Sequence, residues 1–168
     1  MNKLLRLFLI FAILILNISC DQVSKHYVRN NFSYHDAIRL VSNHVTFTKV
    51  ENTGAFLSLG ADMSRPLKFI FLEFLPVAFL VGGLVYMVMK RKLDQLTLTG
   101  LCFVIGGGAG NLFDRLYYGS VTDFMHIDFV IFQTGVFNMA DVSIVVGLMI
   151  LLAKEYIFKP KMPASGFH

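Results

Sequence analysis

Long apolar stretches alternate along the chain with short polar clusters, on a scale much longer than a helical turn. Four such stretches, roughly 4–20, 67–89, 96–113 and 139–158, carry few charges. Each has about 17 to 23 residues, and at about 1.5 Å of rise per residue a helix of that length approaches or covers a hydrocarbon layer about 30 Å thick. The pattern predicts four transmembrane helices. Two of the intervening segments follow a different period. Val45-Thr46-Phe47-Thr48-Lys49-Val50 alternates as a strand does, and Met125, Ile127, Phe129 and Ile131 share one face of a two-residue repeat. Strands with one apolar face are expected to pair into a small sheet resting on the membrane surface. The expected fold is an all-α membrane protein, four transmembrane helices with a small extracytoplasmic β-platform, in one membrane-embedded domain over residues 1–168. The short Pro-containing tail, 160–168, is expected to be disordered.

Composition sharpens this picture. Of the 168 residues, 55% are hydrophobic and 15% charged, and the mean hydropathy is +0.63. A soluble domain carries about 25% charged residues, so this much apolar surface calls for a second apolar solvent. The net charge of +4 is modest, and the basic residues flank apolar runs instead of forming a patch, which argues against nucleic-acid binding. Lys3 and Arg6 precede the first stretch, Lys90, Arg91 and Lys92 fill the short link after the second, and Lys154, Lys159 and Lys161 close the fourth. By the positive-inside rule these segments are cytoplasmic, as both termini then are. Lys25, Arg29, Arg39, Lys49 and Arg65 oppose this orientation, but at lower density along a much longer loop.

Cys20 and Cys102 read as unpaired fillers of apolar runs. The first twenty residues mimic a cleaved signal segment ending in Ser19-Cys20. Asn17 stands where such segments favour an aliphatic residue, and three further spans follow, so the first helix is expected to stay.

The polar residues gather where spans meet the outer surface, in five clusters: 21–25, 51–56, 110–115, 121–124 and 137–142. Four-span topology brings all five to one face. Polar groups beside hydrocarbon are costly, so their convergence calls for mutual pairing or for a function. Asp21 and Lys25 are spaced for an ion pair on a continuing helix, and Asn138 and Asp141 for a capping box at the start of the last span. Gly106 and Gly110 have the small-xxx-small spacing of closely packed membrane helices, and the glycine run lacks the Lys-Ser/Thr ending of a phosphate loop. Glu73 lies within the second span, either as an intramembrane acid or as a group reaching the interface beside Lys68. His126 and Asp128 share a strand face but lack a third metal ligand.

The clusters resemble the ordered signature blocks of the bacterial lipoprotein signal peptidases, the type II signal peptidases. Asp21-Gln22-Val23-Ser24-Lys25 matches D-Q-x-x-K, and Asn52-Thr53-Gly54-Ala55 matches N-x-G-A. Gly110-Asn111-Leu112-Phe113-Asp114-Arg115 matches G-N-x-x-D-R, Val121-Thr122-Asp123-Phe124 matches V-x-D-F, and Phe137-Asn138-Met139-Ala140-Asp141 matches F-N-x-A-D. Phe56 departs from the pattern, standing where many members have a small residue, with consequences for the pocket wall. The resemblance implies an aspartic endopeptidase of the inner membrane, multi-pass and monomeric, with its active site at the outer face. It would remove signal peptides from lipid-modified prolipoproteins, cutting just before the diacylglyceryl-cysteine, with those substrates and membrane lipids as its partners. It implies Asp123 and Asp141 as the catalytic pair, with no metal or organic cofactor. Asn52, Gly54, Asn111, Arg115, Asn138 and Ala140 are then expected at the substrate, and Asp21, Lys25 and Asp114 as structural support. For Arg115, neutralising Asp114 is the plain alternative.

The chemistry has its own logic. Peptide hydrolysis without a covalent intermediate needs one group to deprotonate water and another to protonate the scissile carbonyl and leaving nitrogen. Two nearby carboxylates in a poorly solvated site cannot both ionise cheaply, so they share a proton and fill both roles as a coupled pair. A helix N-terminus favours the charged form of Asp141, which makes it the expected base and Asp123 the expected acid. Taken alone, Asp141 reads as a helix cap and Asp123 as an ordinary turn acid. Two rivals use the same residues differently: a four-span transporter with Glu73 as its coupling acid, and a non-catalytic assembly factor docking partners on the β-platform.

Overall fold

Two of the apolar rods begin at a residue whose side chain caps their free N–H groups. Helix α1 (Lys3–Asn31) starts at Asn2, whose side chain accepts from the Leu5 N–H. Helix α4 (Gln95–Tyr118) starts at Asp94, which does the same for Thr97, and stops at Gly119 in the left-handed conformation, φ 78°. Between them, α2 (Arg65–Lys68), a π-helical segment (Phe69–Phe74) and α3 (Leu75–Met89) follow one another as the rod Arg65–Met89. The widened turn directly precedes Pro76, whose ring has no N–H to donate back along the helix and crowds the preceding turn. Helix α5 (Met139–Ile157) completes the set. The computed structural model describes residues 2–41, 44–55, 58–90, 92–129 and 131–157; the tail 160–168 and Phe56 lie outside them.

Lys3–Asn31, Arg65–Met89 and Gln95–Tyr118 are long and apolar enough to cross a membrane. α1 does not end near Cys20 as the hydropathy suggested but runs on to Asn31. The reason is that Asp21 and Lys25 point into the bundle and are buried there, so the polar residues extend the helix instead of ending it. α5 lies against α4 almost backbone to backbone. A Cβ on Gly107 would meet the Ala140 carbonyl oxygen at 2.3 Å, and one on Gly147 would meet that of Gly100 at 2.6 Å. Gly106 and Gly110 face α1 instead, against Asn17 and Asp21.

Strands β1 (Ala37–Leu40), β2 (Val45–Asn52), β3 (Val121–Phe129) and β4 (Phe132–Gln133) form one antiparallel sheet in the order β1-β2-β3-β4. β3 starts at Val121, four positions before the alternating run, because Val121, Thr122 and Asp123 pair with Asn52, Glu51 and Val50. The register shifts between Phe47 and Val50, just before that pairing.

The two ends of the bundle differ. At one, Arg6 donates through Nη2 to the carbonyls of Met87 and Lys90 at 2.9 and 2.7 Å, capping α3, and Lys154 of α5 is bonded to Asp94 and Thr97 of α4. Ile10, Leu14, Met87, Leu98, Cys102 and Ile105 form an apolar core close by. At the other, the end of α1, the end of α4, the start of α5 and strand β3 converge on buried polar side chains. Large apolar groups such as Phe8, Leu16, Phe79 and Met149 face outward. A surface of that kind suits hydrocarbon.

Candidate active site

The site is built on the first turn of α5. Asn138 caps the helix by accepting the Asp141 N–H on Oδ1 at 3.0 Å, and Oδ2 of Asp141 accepts the Asn138 N–H at 3.2 Å. This reciprocal arrangement is the capping box that the spacing predicted. A third N–H of the turn, that of Ala140, is taken by Oδ1 of Asp21 from α1 at 2.9 Å. The helix start is thus closed by its own turn and by a neighbouring helix.

These bonds fix the sense of every amide nearby, because a backbone N–H or an ammonium can only donate. With its oxygen held by Asp141, Asn138 turns its NH₂ to Oδ1 of Asp123 at 2.6 Å and Oδ1 of Asn111 at 3.1 Å. Asn52 accepts the Gly54 N–H at 2.9 Å and so donates to Oδ2 of Asp123 at 3.1 Å and to the Ala55 carbonyl at 3.0 Å. Asn111 accepts from Lys25 Nζ at 2.9 Å and therefore donates to Oδ1 of Asp141 at 2.8 Å. All four carboxylate oxygens of Asp123 and Asp141 accept a donor of settled orientation. Behind them, Lys25 pairs with Asp21 at 2.8 Å and Asp114 at 3.0 Å, all three fully buried, and Arg29 pairs with Asp114 at 2.8 Å. Two cations face two anions, so the desolvated cluster is balanced. Arg115 does not serve as the partner of Asp114; its Nη2 donates to the Gly54 carbonyl at 2.9 Å.

A cleft of about 470 Å³ opens in front of the pair. Asn52, Asn111, Arg115, Asp123, Asn138 and Asp141 make one wall, and Phe71, Leu72, Pro76, Ile144 and Leu148 make an apolar wall. Burial pushes the Asp123 carboxyl up to about 6, against the amides of Asn138 and Asn52, which favour its charge; the nearby Asp141 adds to the rise. One group ready to hold a proton thus sits beside a second carboxylate at a helix N-terminus, the arrangement that acid–base hydrolysis needs.

Of the residues singled out from the sequence, Asn52, Asn111, Arg115, Asp123, Asn138 and Asp141 meet at the cleft. Gly54 and Ala140 are buried behind its wall: the Gly54 carbonyl holds Arg115, and the Ala140 N–H holds Asp21. Asp21, Lys25 and Asp114 form the ionic layer beneath. Glu73 stands apart, 3.3 Å from the exposed Arg65 on its own rod. Among the described residues no group of three or more His, Cys, Asp or Glu has metal-binding spacing. Sequence reasoning gave no site role to Arg29, Gln22, Thr122 or Glu51, although the i, i+4, i+8 stripe of Asp21, Lys25 and Arg29 was a usable signal for the first.

Comparisons with known proteins identify the family. The sequence profile of the family described as Signal peptidase (SPase) II matches residues 13–157. The lipoprotein signal peptidase of Clostridioides difficile (strain 630) is 37% identical over 153 residues, covering 91% of this chain and 98% of its own. That of Syntrophus aciditrophicus (strain SB) is 34% identical over 154 residues, covering 90% and 93%. A solved structure described as a bacterial membrane enzyme shares the fold with a TM-score of 0.74 at 21% identity, covering 92% of this chain and 93% of that one. With a match over most of its length and relatives at this identity, the chain belongs to the signal peptidase II family.

Proposed function

We propose that this protein is an aspartic endopeptidase that removes signal peptides from lipid-modified prolipoproteins, cutting just before the diacylglyceryl-cysteine. The observation that carries the reading is the amide of Asn138, which bonds Asp123 while its backbone bonds Asp141, at the polar wall of an otherwise apolar cleft. Asp141, ionised at the helix start, takes a proton from water as the oxygen adds to the scissile carbonyl carbon. Asp123, protonated, gives its proton to the carbonyl oxygen. Collapse of the tetrahedral intermediate breaks the C–N bond as Asp141 passes the water's proton to the leaving nitrogen and Asp123 takes back a hydroxyl proton, which restores the starting pair. Asn52, Asn111 and Arg115 offer amides and a guanidinium to an extended substrate backbone. The apolar wall receives the signal helix and the lipid, and no metal or organic cofactor is called for.

The same reading places four helices across the inner membrane. α5 has 19 residues, about 28 Å of helix, and runs beside α4 from the Asn111–Asp141 contact to the Lys154–Asp94 pair. Outside the cleft it carries Val146, Met149 and Leu152, all exposed and apolar. Both termini are then cytoplasmic, the sheet and the dyad lie at the outer face, and the enzyme works as a monomer among membrane lipids. The transporter reading has no support: the family is one of peptidases, and Glu73 lies outside the cleft.

The test is a gel-shift assay of a lipid-modified precursor with wild type, Asp123→Asn and Asp141→Asn. Wild type is expected to cleave and both variants to fail. Cleavage retained by either variant would remove the dyad from the mechanism.

A further inference from the structure

Arg29 continues the helical stripe of Asp21 and Lys25 but belongs to none of the five sequence blocks. Its guanidinium reaches two parts of the molecule at once. Toward the bundle, Nη2 stands 2.8 Å from Oδ1 of Asp114 on α4. Toward the sheet, Nε donates to Oγ1 of Thr122 at 2.8 Å. The Thr122 hydroxyl then donates to Oε1 of Glu51 at 2.9 Å, and Ser120 donates to Oε2 of the same carboxylate at 2.6 Å. Since the Nε–H can only donate, the Thr122 proton is left for Glu51, and the chain of bonds has one sense. Tyr118 lies under the guanidinium at 3.9 Å, and Lys49 donates to the Arg29 carbonyl at 3.1 Å. The fork has little freedom to turn.

Thr122 and Glu51 face each other in the β3–β2 register, and each immediately precedes a cleft residue, Asp123 and Asn52. Asp123 hangs from a strand, whereas Asp141 hangs from a helix. The separation of their carboxyls therefore depends on the joint between sheet and bundle, and Arg29 crosses that joint. Resting on the peptidase reading above, we infer that Arg29 is a positioning residue, holding the Asp123 and Asn52 strand pair in catalytic register through Thr122 and Glu51. It touches no substrate.

The test uses the full-length enzyme in detergent and a lipid-modified precursor. Thr122→Val removes the hydroxyl at nearly constant shape, and Thr122→Ser keeps it. Arg29→Lys keeps a charge for Asp114 but has no planar second donor for Thr122. Thr122→Val and Arg29→Lys are each expected to lower kcat by on the order of tenfold to a hundredfold, as small misplacements of reacting groups do. KM should stay within roughly twofold, and Thr122→Ser should restore the rate. The double variant should lose no more than either single one, because both break the same chain. The alkaline limb of the kcat/KM profile should also shift, since the burial that raises the Asp123 carboxyl and the amide donors that favour its charge both depend on its place in the strand. The groups that act on Asp123 there are Asn52 on β2, Asn138 and Asp141 at the start of α5, Lys25 on α1 and Arg115 on α4, and none of them is substituted in these variants. Unchanged kcat and pH profile in Thr122→Val, losses that multiply in the double variant, or Thr122→Ser as impaired as Thr122→Val would each overturn the inference. A wild-type enzyme that does not cleave would overturn the peptidase reading and, with it, this role; a wild type that cleaves, with Thr122 variants indistinguishable from it, overturns the role alone.

Discussion

Asn138 donates its side-chain amide to Oδ1 of Asp123 at 2.6 Å, and so ties the cap of a helix to the start of a strand. The same residue accepts the Asp141 N–H and donates its own N–H to the Asp141 carboxylate. The two carboxyls are thus held by one residue between them.

The pH profile has a definite sign. The Asp123 carboxyl lies at about 6, above its ordinary 3.8, so it keeps its proton to a higher pH than a solvated aspartate. As the acid it acts protonated, and kcat/KM should fall as pH rises through about 6. Asn52→Leu removes a donor that favours the charged form and should move the alkaline midpoint up. A midpoint that falls or stays put in that variant contradicts the assignment. The same shift makes the fold lose stability as pH rises from about 4 to about 6, because the unfolded chain gives up this proton first.

Asn111 couples the ionic layer to the base. Lys25 holds its oxygen, and its NH₂ holds Asp141. Asn111→Leu should reduce kcat by about a hundredfold, the usual loss on removing one buried donor to a charged catalytic group. Steady-state rates on a lipid-modified precursor check this; a change confined to KM would point instead to substrate contact.

Lys25→Met should be costly to the fold. It leaves Asp21 and Asp114 facing each other at a fully buried site, with Arg29 balancing only the second. Removing one partner of a buried pair costs about 3–5 kcal/mol. Denaturant or thermal unfolding of the purified protein in detergent reads this out, and a loss below about 1 kcal/mol would mean that water reaches the cluster.

Gly107→Ala should separate α4 from α5 where their backbones meet, next to the Ala140 carbonyl. A destabilisation of about 1–3 kcal/mol with a drop in cleavage is expected. Gly82→Ala, where nothing lies within 4 Å of the added Cβ, should be neutral or stabilising. Equal behaviour of the two variants would show that the helices do not touch closely at Gly107.

Much of this protein was legible in one dimension. Apolar runs of bilayer length located the rods, and two-residue alternation located β2 and the outer half of β3. The Asn138–Asp141 spacing announced the cap, because hydrogen bonds within one turn depend only on local spacing. Element ends were read less well: α1 continues past Cys20 and β3 starts at Val121 because partners distant in sequence bury the polar residues there.

The site shows the same division. Residue types and their order named the acids and amides that meet at the cleft, since the chemistry demands carboxylates and directional donors wherever the chain puts them. Only the tertiary structure decided that Arg115 serves Gly54 and not Asp114, that Gly54 and Ala140 stand behind the wall, and that Arg29 joins the bundle to the sheet. Those outcomes depend on which helix faces which. A hydrogen bond is settled by a few tenths of an ångström between elements that can lie more than a hundred residues apart, and no local pattern in the sequence encodes that distance.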